Sequence, residues 1–210
     1  MGRPREHDEK TARALLEAAE HAIQLGGTDA VSVRGVADQV GTSTRAVYSL
    51  FGSKDGLLVA LGVRAFEMLG SAVKAMPETD DPARDLVDAG VTVFRRFVID
   101  HPILFRIGFR RGLVSADLAA QFETARLDAL GGLVAKVQRL EHSGLLAGRN
   151  LWDAVSHLNA ICEGLAEMEL RGNLPIGQEE RLWRDALSAL VDGLSIPASV
   201  AHRSRTYAGG

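Results

Sequence analysis

The sequence is poor in cysteine, the residue that cross-links proteins through disulfides and holds many structural zinc ions. It has one cysteine, Cys162, among 210 residues. One cysteine cannot form an internal disulfide and has no second thiolate with which to share a zinc ion, so disulfide scaffolds and cysteine-rich zinc modules are excluded. We expect Cys162 to be a small core residue of a protein from a reducing compartment.

Long hydrophobic runs are also missing. No uninterrupted apolar segment approaches the roughly 20 residues that a membrane span needs, and the first residues, MGRPREHDEK, lack the apolar stretch of a secretory signal. With 46% hydrophobic and 24% charged residues, the composition is that of a soluble globular protein of one or two domains. We therefore expect a cytoplasmic protein.

The chain shows neither strand-like alternation nor a catalytic motif. Because no alternation of apolar and polar residues is sustained, the pattern predicts an all-α fold. The six histidines show no His-x-x-x-His or Glu-x-x-His spacing of the kind that binds metals in helical proteins. There is no glycine-rich phosphate loop after a strand and no Gly-x-Ser-x-Gly nucleophile turn. We expect no enzymatic activity, no metal and no cofactor.

What is present is a pair of short helices in residues 31–58, VSVRGVADQVGTSTRAVYSLFGSKDGLL. Ser32 can cap the first helix and Gly41 can end it. Thr42 or Ser43 can cap the second helix, and Ser53 can cap a third. The first two helices and their glycine turn have the outline of a helix-turn-helix, the motif that places a helix in the major groove of DNA.

The second short helix has two different faces. Val47, Leu50 and Phe51 fall on one side, whereas Thr44, Arg45 and Tyr48 fall on the other. Hydroxyls, backbone amides and a forked cation are the groups that contact phosphates and guanine edges in a major groove. The same pattern also occurs in helical proteins that do not bind DNA, so both interpretations remain open at this point.

Net charge does not support nucleic-acid binding. Residues 1–58 hold seven Lys or Arg and eight Asp or Glu, a net charge of −1, and the whole chain is at −3 with a pI near 6.1. The positions of the cations allow a local basic patch. The leading segment carries two arginines that can either belong to a mobile terminus or enter an adjacent minor groove. The candidate DNA contacts are Arg3, Arg5, Ser32, Arg34, Thr42, Ser43, Thr44, Arg45, Tyr48 and Lys54.

The run GTSTRAVYSLFGSKDGLL resembles the signature of the TetR family of transcriptional regulators. The matching positions are Gly41, Tyr48, Phe51, Ser53, Lys54 and Leu57. Leu50 departs from the pattern, because the family more often has a polar or aromatic residue there. The segments HPILFRIGFRRG and EGLAEMELRGNLP further resemble the C-terminal regulatory domain of one TetR branch, so the resemblance runs from Glu6 to about Leu194.

Helical periodicity and breaks predict about nine helices in two domains. The first helix is expected from about His7 to Leu25, and Pro77 with Pro82 marks the break after the fourth. We predict a helix-turn-helix DNA-binding domain over residues 1–55 and a helical effector-binding and dimerisation domain over residues 56–196. Residues 197–210 are expected to form a disordered tail.

The last two helices bear on oligomerisation. They carry several apolar stripes, and the final helix offers Trp183, Leu187, Leu190, Val191 and Leu194. The resemblance implies a symmetric dimer in which these two helices pair with their copies, and such a dimer would match two half-sites of a palindrome about one DNA turn apart. The alternative is that both faces are buried within one chain.

The resemblance also implies a small-molecule effector bound by the C-terminal domain. Apolar and aromatic side chains between helices are the usual walls of such a pocket, with a few polar groups that orient the ligand. The candidates are Phe94, Phe97, Phe105, Phe109, Phe122, Trp152, His157, Asn159 and Met168. We expect a largely apolar or aromatic effector that releases a dimeric repressor from a palindromic operator. The alternative is a helical small-molecule-binding or scaffold protein without DNA binding.

Overall fold

The computed structural model describes residues 3–109 and 116–197, with the side chains of residues 8–109 and 119–197. All regular structure in these ranges is helical, which confirms the all-α class. Pro197 is the last described residue, so the predicted disorder of the C-terminal tail lies outside the described part of the chain.

The described residues form nine helices when stretches that continue without a break are counted together. Their bounds are α1 Arg3–Gly26, α2 Val33–Val40, α3 Thr44–Phe51, α4 Lys54–Lys74, α5 Pro82–Asp88 with its continuations, α6 Pro102–Phe109, α7 Ala116–His142, α8 Leu151–Leu170 and α9 Glu179–Leu194. Helix α5 continues as a π-helical segment, Ala89–Phe94, and ends as Arg95–Asp100. A 3₁₀ turn, Thr28–Ala30, joins α1 to α2.

Helix α1 begins earlier than the sequence predicted. It starts at Arg3 rather than near His7 and therefore includes Pro4 and Arg5. Proline suits the first turn of a helix because the amide hydrogen it lacks would have no partner there. The backbone of the two arginines is thus part of a helix, and their side chains lie outside the described part.

The chain divides into two compact units. The first comprises Met1–Met68 and His101–Leu127, and the second comprises Leu69–Asp100 and Asp128–Gly210. Helix α6 and the start of α7 therefore belong to the same unit as the two short helices. The predicted boundary after residue 55 separates a DNA-binding part from an effector-binding part, whereas the two compact units are defined by packing. That boundary stays a prediction.

The first unit is built around the N-terminal helices. Helix α1 packs against α2 and α3, and α2 packs against α3. Leu15, Val36, Val47 and Leu57 are among its buried side chains. Each comes from a different helix, so all four helices α1 to α4 contribute buried side chains to this unit.

An aromatic cluster occupies the other part of the first unit. The ring of Phe66 lies 5.2 Å from that of Phe109 and 5.3 Å from that of Phe122, and the rings of Phe105 and Phe109 stack at 4.9 Å. Such ring pairs each contribute about 0.5–1.5 kcal/mol beyond the area that they bury. The cluster joins α4, α6 and the start of α7.

Trp183 of α9 is the centre of the second unit. Its side chain is fully buried and its ring lies 6.2 Å from that of Phe94. The indole Nε1 donates a hydrogen bond to Glu169 Oε2 at 2.7 Å, and Arg95 binds the same carboxylate at 2.8 Å. The polar atom of the largest core residue is therefore satisfied, as burial requires.

Gly90, in the π-helical segment of α5, allows α9 to approach closely. A Cβ on Gly90 would lie 2.4 Å from Leu187 Cδ1, a distance that no packed side chain tolerates. Both Phe97 and Val98, two neighbours in sequence, are buried beyond this segment. One extra residue in a helical turn rotates the apolar face that follows it.

Cys162 of α8 is buried as predicted. Burial raises the pKa of its thiol to about 12, and the neighbouring carboxylate of Glu163 adds to the rise. A thiol with so high a pKa forms almost no thiolate at neutral pH. Cys162 is therefore a core residue of the second unit.

Helix α4 is long and apolar enough to cross a membrane by length and composition alone, and this holds for no other helix of the described part. Half of its most apolar stretch is buried inside the protein, as in the core helix of a helical domain. Arg64 and Glu67 interrupt its apolar sequence, and Arg64 Nη2 donates a hydrogen bond to Glu17 of α1 at 3.4 Å.

Helices α3 and α4 meet in a tight turn. Gly52 ends α3 with φ of 73°, and the hydroxyl oxygen of Ser53 accepts a hydrogen bond from Gly56 N at 2.9 Å, as predicted for a cap. A Cβ on Gly56 would lie 1.8 Å from the carbonyl oxygen of Phe51. Only glycine allows the first turn of α4 to press against the end of α3.

Asp85 of α5 is a buried carboxylate with several donors. It accepts hydrogen bonds from the Thr79 hydroxyl at 2.7 Å, from the Thr79 amide at 2.9 Å and from Arg139 of α7 at 2.5 Å. Burial alone would raise the pKa of Asp85, but these bonds outweigh burial and lower it to about 2 from its ordinary value of 3.8. The carboxylate links α5 to α7 within the second unit.

We predict that this carboxylate makes stability depend on acid. Because its pKa is lowered in the folded state, the stabilisation is complete above pH 3.8 and is lost as the pH falls toward 2. Urea denaturation between pH 7 and pH 2.5 should show a steeper loss of unfolding free energy for the wild type than for Asp85→Asn. The variant should be less stable at pH 7 by about 2 kcal/mol. Equal slopes for the two proteins would refute this role, and Asp38→Asn on the exposed surface of α2 is the control.

We also predict that Gly56→Ala separates the ends of α3 and α4. Overpacking of this kind costs about 1–3 kcal/mol, which urea denaturation measures. Gly131→Ala is the matched control, since this glycine of α7 has no atom within 4 Å of its added Cβ. The control should be stabilised by up to about 1 kcal/mol because alanine favours a helix. A Gly56→Ala variant as stable as the control would contradict the close approach.

Candidate nucleic-acid interface

Helix α2 is fixed at both ends by its own sequence. The hydroxyl oxygen of Ser32 accepts a hydrogen bond from Gly35 N at 2.9 Å, which confirms the predicted cap. Gly41 is left-handed, with φ of 74° and ψ of 32°, and ends the helix. A Cβ on Gly35 would lie 2.9 Å from the Ser32 hydroxyl oxygen, so a side chain there would disturb the cap.

Helix α3 begins at Thr44, and only three residues separate it from the end of α2 at Val40. Of the two predicted caps, Ser43 is the one used, and its hydroxyl oxygen accepts a hydrogen bond from Ala46 N at 3.2 Å. Thr42 is half-buried, and its amide donates to the carbonyl of Ala37 at 3.0 Å. The turn between α2 and α3 is therefore held by backbone bonds on one side and by a serine cap on the other.

The two faces of α3 are those that the sequence predicted. Val47 is fully buried, and Leu50 and Phe51 are half-buried. Thr44 and Arg45 are exposed, and Tyr48 has 53% of its surface accessible. A large aromatic side chain exposed beside a cation and a hydroxyl is a typical binding surface.

Electrostatically, the cations of this surface differ in their surroundings. Arg34 on α2 lies 3.8 Å from Asp38, one turn later, and both side chains are largely exposed. Such a pair contributes about 0–1 kcal/mol and is easily exchanged for another anion. Within the described part, no salt bridge involves Arg45. Arg45 is thus available to an external anion.

The N-terminal end of α3 adds backbone donors to these side chains. The first amides of a helix have no partner within the helix and attract anions, and the helix dipole favours negative charge there. Ser43 and Thr44 stand at this end with exposed side chains, and Lys54 is half-buried at the start of α4. The surface can therefore contact phosphates from two helix starts and base edges from α3.

Sequence reasoning missed two residues that shape this surface. Gly56 sets the distance between α3 and α4, and no periodicity signals such an approach because it depends on a contact between two elements. Asp38 was counted as a charge but not paired with Arg34, although their spacing of four residues on one helix would have revealed the pair.

The candidate effector residues are not gathered at one place. Phe105, Phe109 and Phe122 belong to the aromatic cluster of the first unit. Phe94 and Phe97 are buried in the second unit. The remaining candidates lie on α8, also in the second unit: Trp152, His157, Asn159 and Met168.

The α8 candidates are mostly on the surface. Trp152 is 57% exposed, Met168 is 45% exposed and His157 is exposed. Asn159 is half-buried and donates a hydrogen bond to Glu163 Oε1 at 2.5 Å. In the single chain Trp152, His157 and Met168 are therefore exposed, and their role as effector contacts stays a prediction.

Both parts of the chain match family models. Residues 15–61 match the model described as bacterial regulatory proteins of the tetR family. Residues 87–194 match the tetracyclin repressor-like C-terminal domain. The second match alone covers about half of the chain, and the first spans the helix-turn-helix.

Similar proteins support the same assignment. The chain is 29% identical over 195 residues to the HTH-type transcriptional regulator BetI of Rhizobium meliloti (strain 1021), covering 90% of this chain and 77% of that protein. In fold it is similar to the TetR family regulator PfmR of Thermus thermophilus, at 21% identity, a TM-score of 0.66 and coverage of 84% and 96% of the two chains.

A further solved structure with this fold is RolR in complex with resorcinol. It shares 18% identity and a TM-score of 0.61, with coverage of 90% of this chain and 95% of the other. At this identity the likeness concerns the fold alone. Family regulators of this kind are DNA-binding transcription factors and not enzymes. From its two matched regions and its helix-turn-helix, we conclude that this chain belongs to the TetR family of transcriptional regulators.

Proposed function

We propose that this regulator is a cytoplasmic, ligand-responsive repressor that binds a palindromic operator as a dimer. The observation that carries the proposal is the outer face of α3, where Thr44, Arg45 and Tyr48 are exposed on a helix whose start is capped by Ser43. A rigid helix with exposed polar groups at its first turn is suited to the major groove.

Residues of α3 are assigned to contacts with base edges, and residues next to α3 in the chain or in neighbouring helices are assigned to phosphate contacts that position the protein on DNA. Arg45 suits a guanine edge or a phosphate, and Tyr48 suits a phosphate or a thymine methyl group. Arg34 can exchange Asp38 for a phosphate, because the pair is exposed and weak. Phosphate contacts that fix the register are assigned to Arg3, Arg5, Ser32, Thr42, Ser43 and Lys54.

The dimer is assigned chiefly to an exposed stripe of α8. Trp152, Ala160, Gly164 and Met168 are exposed at intervals of one or two turns along the helix. The final helix contributes less than its sequence suggested, because Trp183, Leu187, Val191 and Leu194 are buried within one chain. Half-buried residues of α9 remain available beside the α8 stripe: Leu182, Ala186, Leu190 and Gly193.

Effector control follows from the two-part architecture. A ligand that binds one spacing of the two reading helices better than another shifts the population away from the DNA-competent form. Couplings of this kind are typically about 1–3 kcal/mol. The complex of RolR with resorcinol supports a small aromatic or apolar ligand as one that this fold can hold.

We predict that Arg45→Ala and Tyr48→Ala each weaken operator binding by about 5-fold to 150-fold, the loss of one good contact of about 1–3 kcal/mol. Fluorescence anisotropy at fixed salt on DNA upstream of the protein's own coding region measures the affinity. Arg181→Ala on α9 is the matched control, since this arginine is also exposed and lies in the second unit. Unchanged affinity in both α3 variants would remove α3 as the reading helix.

We further predict that Gly164→Arg converts the dimer into a monomer. Nothing lies within 4 Å of a Cβ on Gly164, so arginine fits the single chain but places a charge in the proposed interface. Light scattering should return about twice the 22.5 kDa of one chain for the wild type and that single mass for the variant. Gly131→Arg, at an equally open glycine of α7, should stay dimeric. A monomeric wild type at micromolar concentration would refute the dimer.

A further inference from the structure

The exposed face of α8 has opposite charges at its two ends. Asp153, in the first turn, is exposed, and within the described part of the chain it takes part in no salt bridge. Arg171 caps the other end of the helix, and 67% of its side chain is exposed. Eighteen residues are five full turns of an α-helix, so residues with this spacing lie on one line along it. This line therefore begins with an anion and ends with a cation.

The middle of the same face carries small side chains. Ala160 and Gly164 are exposed, and a Cβ on Gly164 would meet no atom within 4 Å. Cys162, between them in sequence, is buried on the opposite side of the helix. Two helices approach most closely, to about 8 Å between their axes, where the side chains at the contact are small. The middle of this face can therefore accept a second helix at close range.

The pattern of the face is symmetric about its middle. His157 is exposed near the first end, and Glu167 near the second accepts a hydrogen bond from Arg171 at 2.9 Å. Three pairs of positions are centred on Cys162: Asp153 with Arg171, His157 with Glu167, and Ala160 with Gly164.

Such symmetry matters when a helix packs on its own copy. In a twofold contact, residue i of one chain meets residue j of the other, and j meets i. An antiparallel crossing at the middle of the face places each Asp153 opposite Arg171 of the other chain. A parallel arrangement would instead place Asp153 opposite Asp153 and Arg171 opposite Arg171. Charge complementarity thus favours the antiparallel contact.

The length of the face limits the crossing angle. Asp153 and Arg171 each lie about 13 Å from the middle along the helix axis. At a crossing of about 20°, which is usual for antiparallel helix bundles, the two axes are still only about 9–10 Å apart at that level. An arginine and an aspartate side chain together span this distance, so both ends of the face can pair at once.

We propose that a second copy of this chain packs its α8 antiparallel on α8 of the first, with the crossing at Ala160 and Gly164 and with Asp153 of each chain paired to Arg171 of the other. The proposal rests on the dimer proposed above and specifies its register. Arg171 then lies between Glu167 of its own chain and the partner's Asp153. Exposed pairs of this kind add little affinity, but they select one orientation because the other sets like charges opposite each other.

A second polar contact follows from the same register. His157 of each chain faces Glu167 of the other, where a ring N–H can donate to the carboxylate. The two contacts at each end of the face then alternate in charge, so the pattern is complementary only to itself reversed.

The experiment exchanges the charges at the two ends. Asp153→Arg places arginine opposite arginine at both ends of the contact, and Arg171→Asp places aspartate opposite aspartate. Each variant should dimerise about 10-fold to 100-fold more weakly than the wild type, as measured by sedimentation equilibrium. An equimolar mixture of the two variants should form a heterodimer about 10-fold tighter than either variant's own dimer, because opposite charges again face each other.

Arg96→Asp on α5 is the matched control. The Arg96 side chain is 69% exposed and pairs with Asp100 one turn later, much as Arg171 pairs with Glu167 one turn earlier. This variant should dimerise like the wild type. Carrying both exchanges in one chain, Asp153→Arg with Arg171→Asp, should also restore the dimer, which separates a lost contact from a lost fold.

The outcomes distinguish the register from the dimer itself. If the wild type is a dimer and neither single exchange weakens it, or if the mixture stays as weak as its components, the proposed register is wrong and the dimer stands. If the wild type has the mass of one 22.5 kDa chain at micromolar concentration, the dimer of the proposed function is contradicted as well.

Discussion

The contact between the end of α3 and the start of α4 is the constraint on which the reading surface depends. The Phe51 carbonyl oxygen occupies the space that a side chain at Gly56 would need. Ser53 caps α4 at the same place, so the direction in which α4 leaves is set by a serine and a glycine three residues apart. Val47 is buried on the inner face of α3, so Thr44, Arg45 and Tyr48 on the opposite face are exposed to solvent.

The second unit uses a different kind of constraint. There the largest core residue, Trp183, is held by a charged group, since its indole donates to Glu169 and Arg95 balances that carboxylate. Glycine again permits a close approach, in this case between Leu187 and the π-helical segment at Gly90. A polar network with every member satisfied specifies the packing of a core more narrowly than apolar contacts do.

Much of the helical outline was predictable because its signals are local. Ser32, Ser43 and Ser53 were recognisable as caps and Gly41 as a left-handed stop, and each is used in that way. The start of α1 was placed four residues too late, because Pro4 and the charged residues around it gave no apolar periodicity to follow. The π-helical segment of α5 was missed since an inserted residue leaves no distinct composition.

For the candidate effector residues, local sequence signals did not predict which side chains would pack together. An apolar residue at helical spacing indicates a buried face but not the partner that buries it. Phe94 and Trp183 proved to be neighbours in one core, Phe105 and Phe109 proved to stack in another, and Trp152 proved to be exposed.

The sequence by itself determined the all-helical class, the caps of α2, α3 and α4 and the outward face of α3, because caps, turns and periodicity act within a few residues. Only the tertiary structure decided that Gly56 must be glycine and that most of the apolar stripe of α9 is buried within the chain. Each of these depends on which atoms of distant segments come within a few ångströms, and spacing along a single chain does not encode those distances in a readable form.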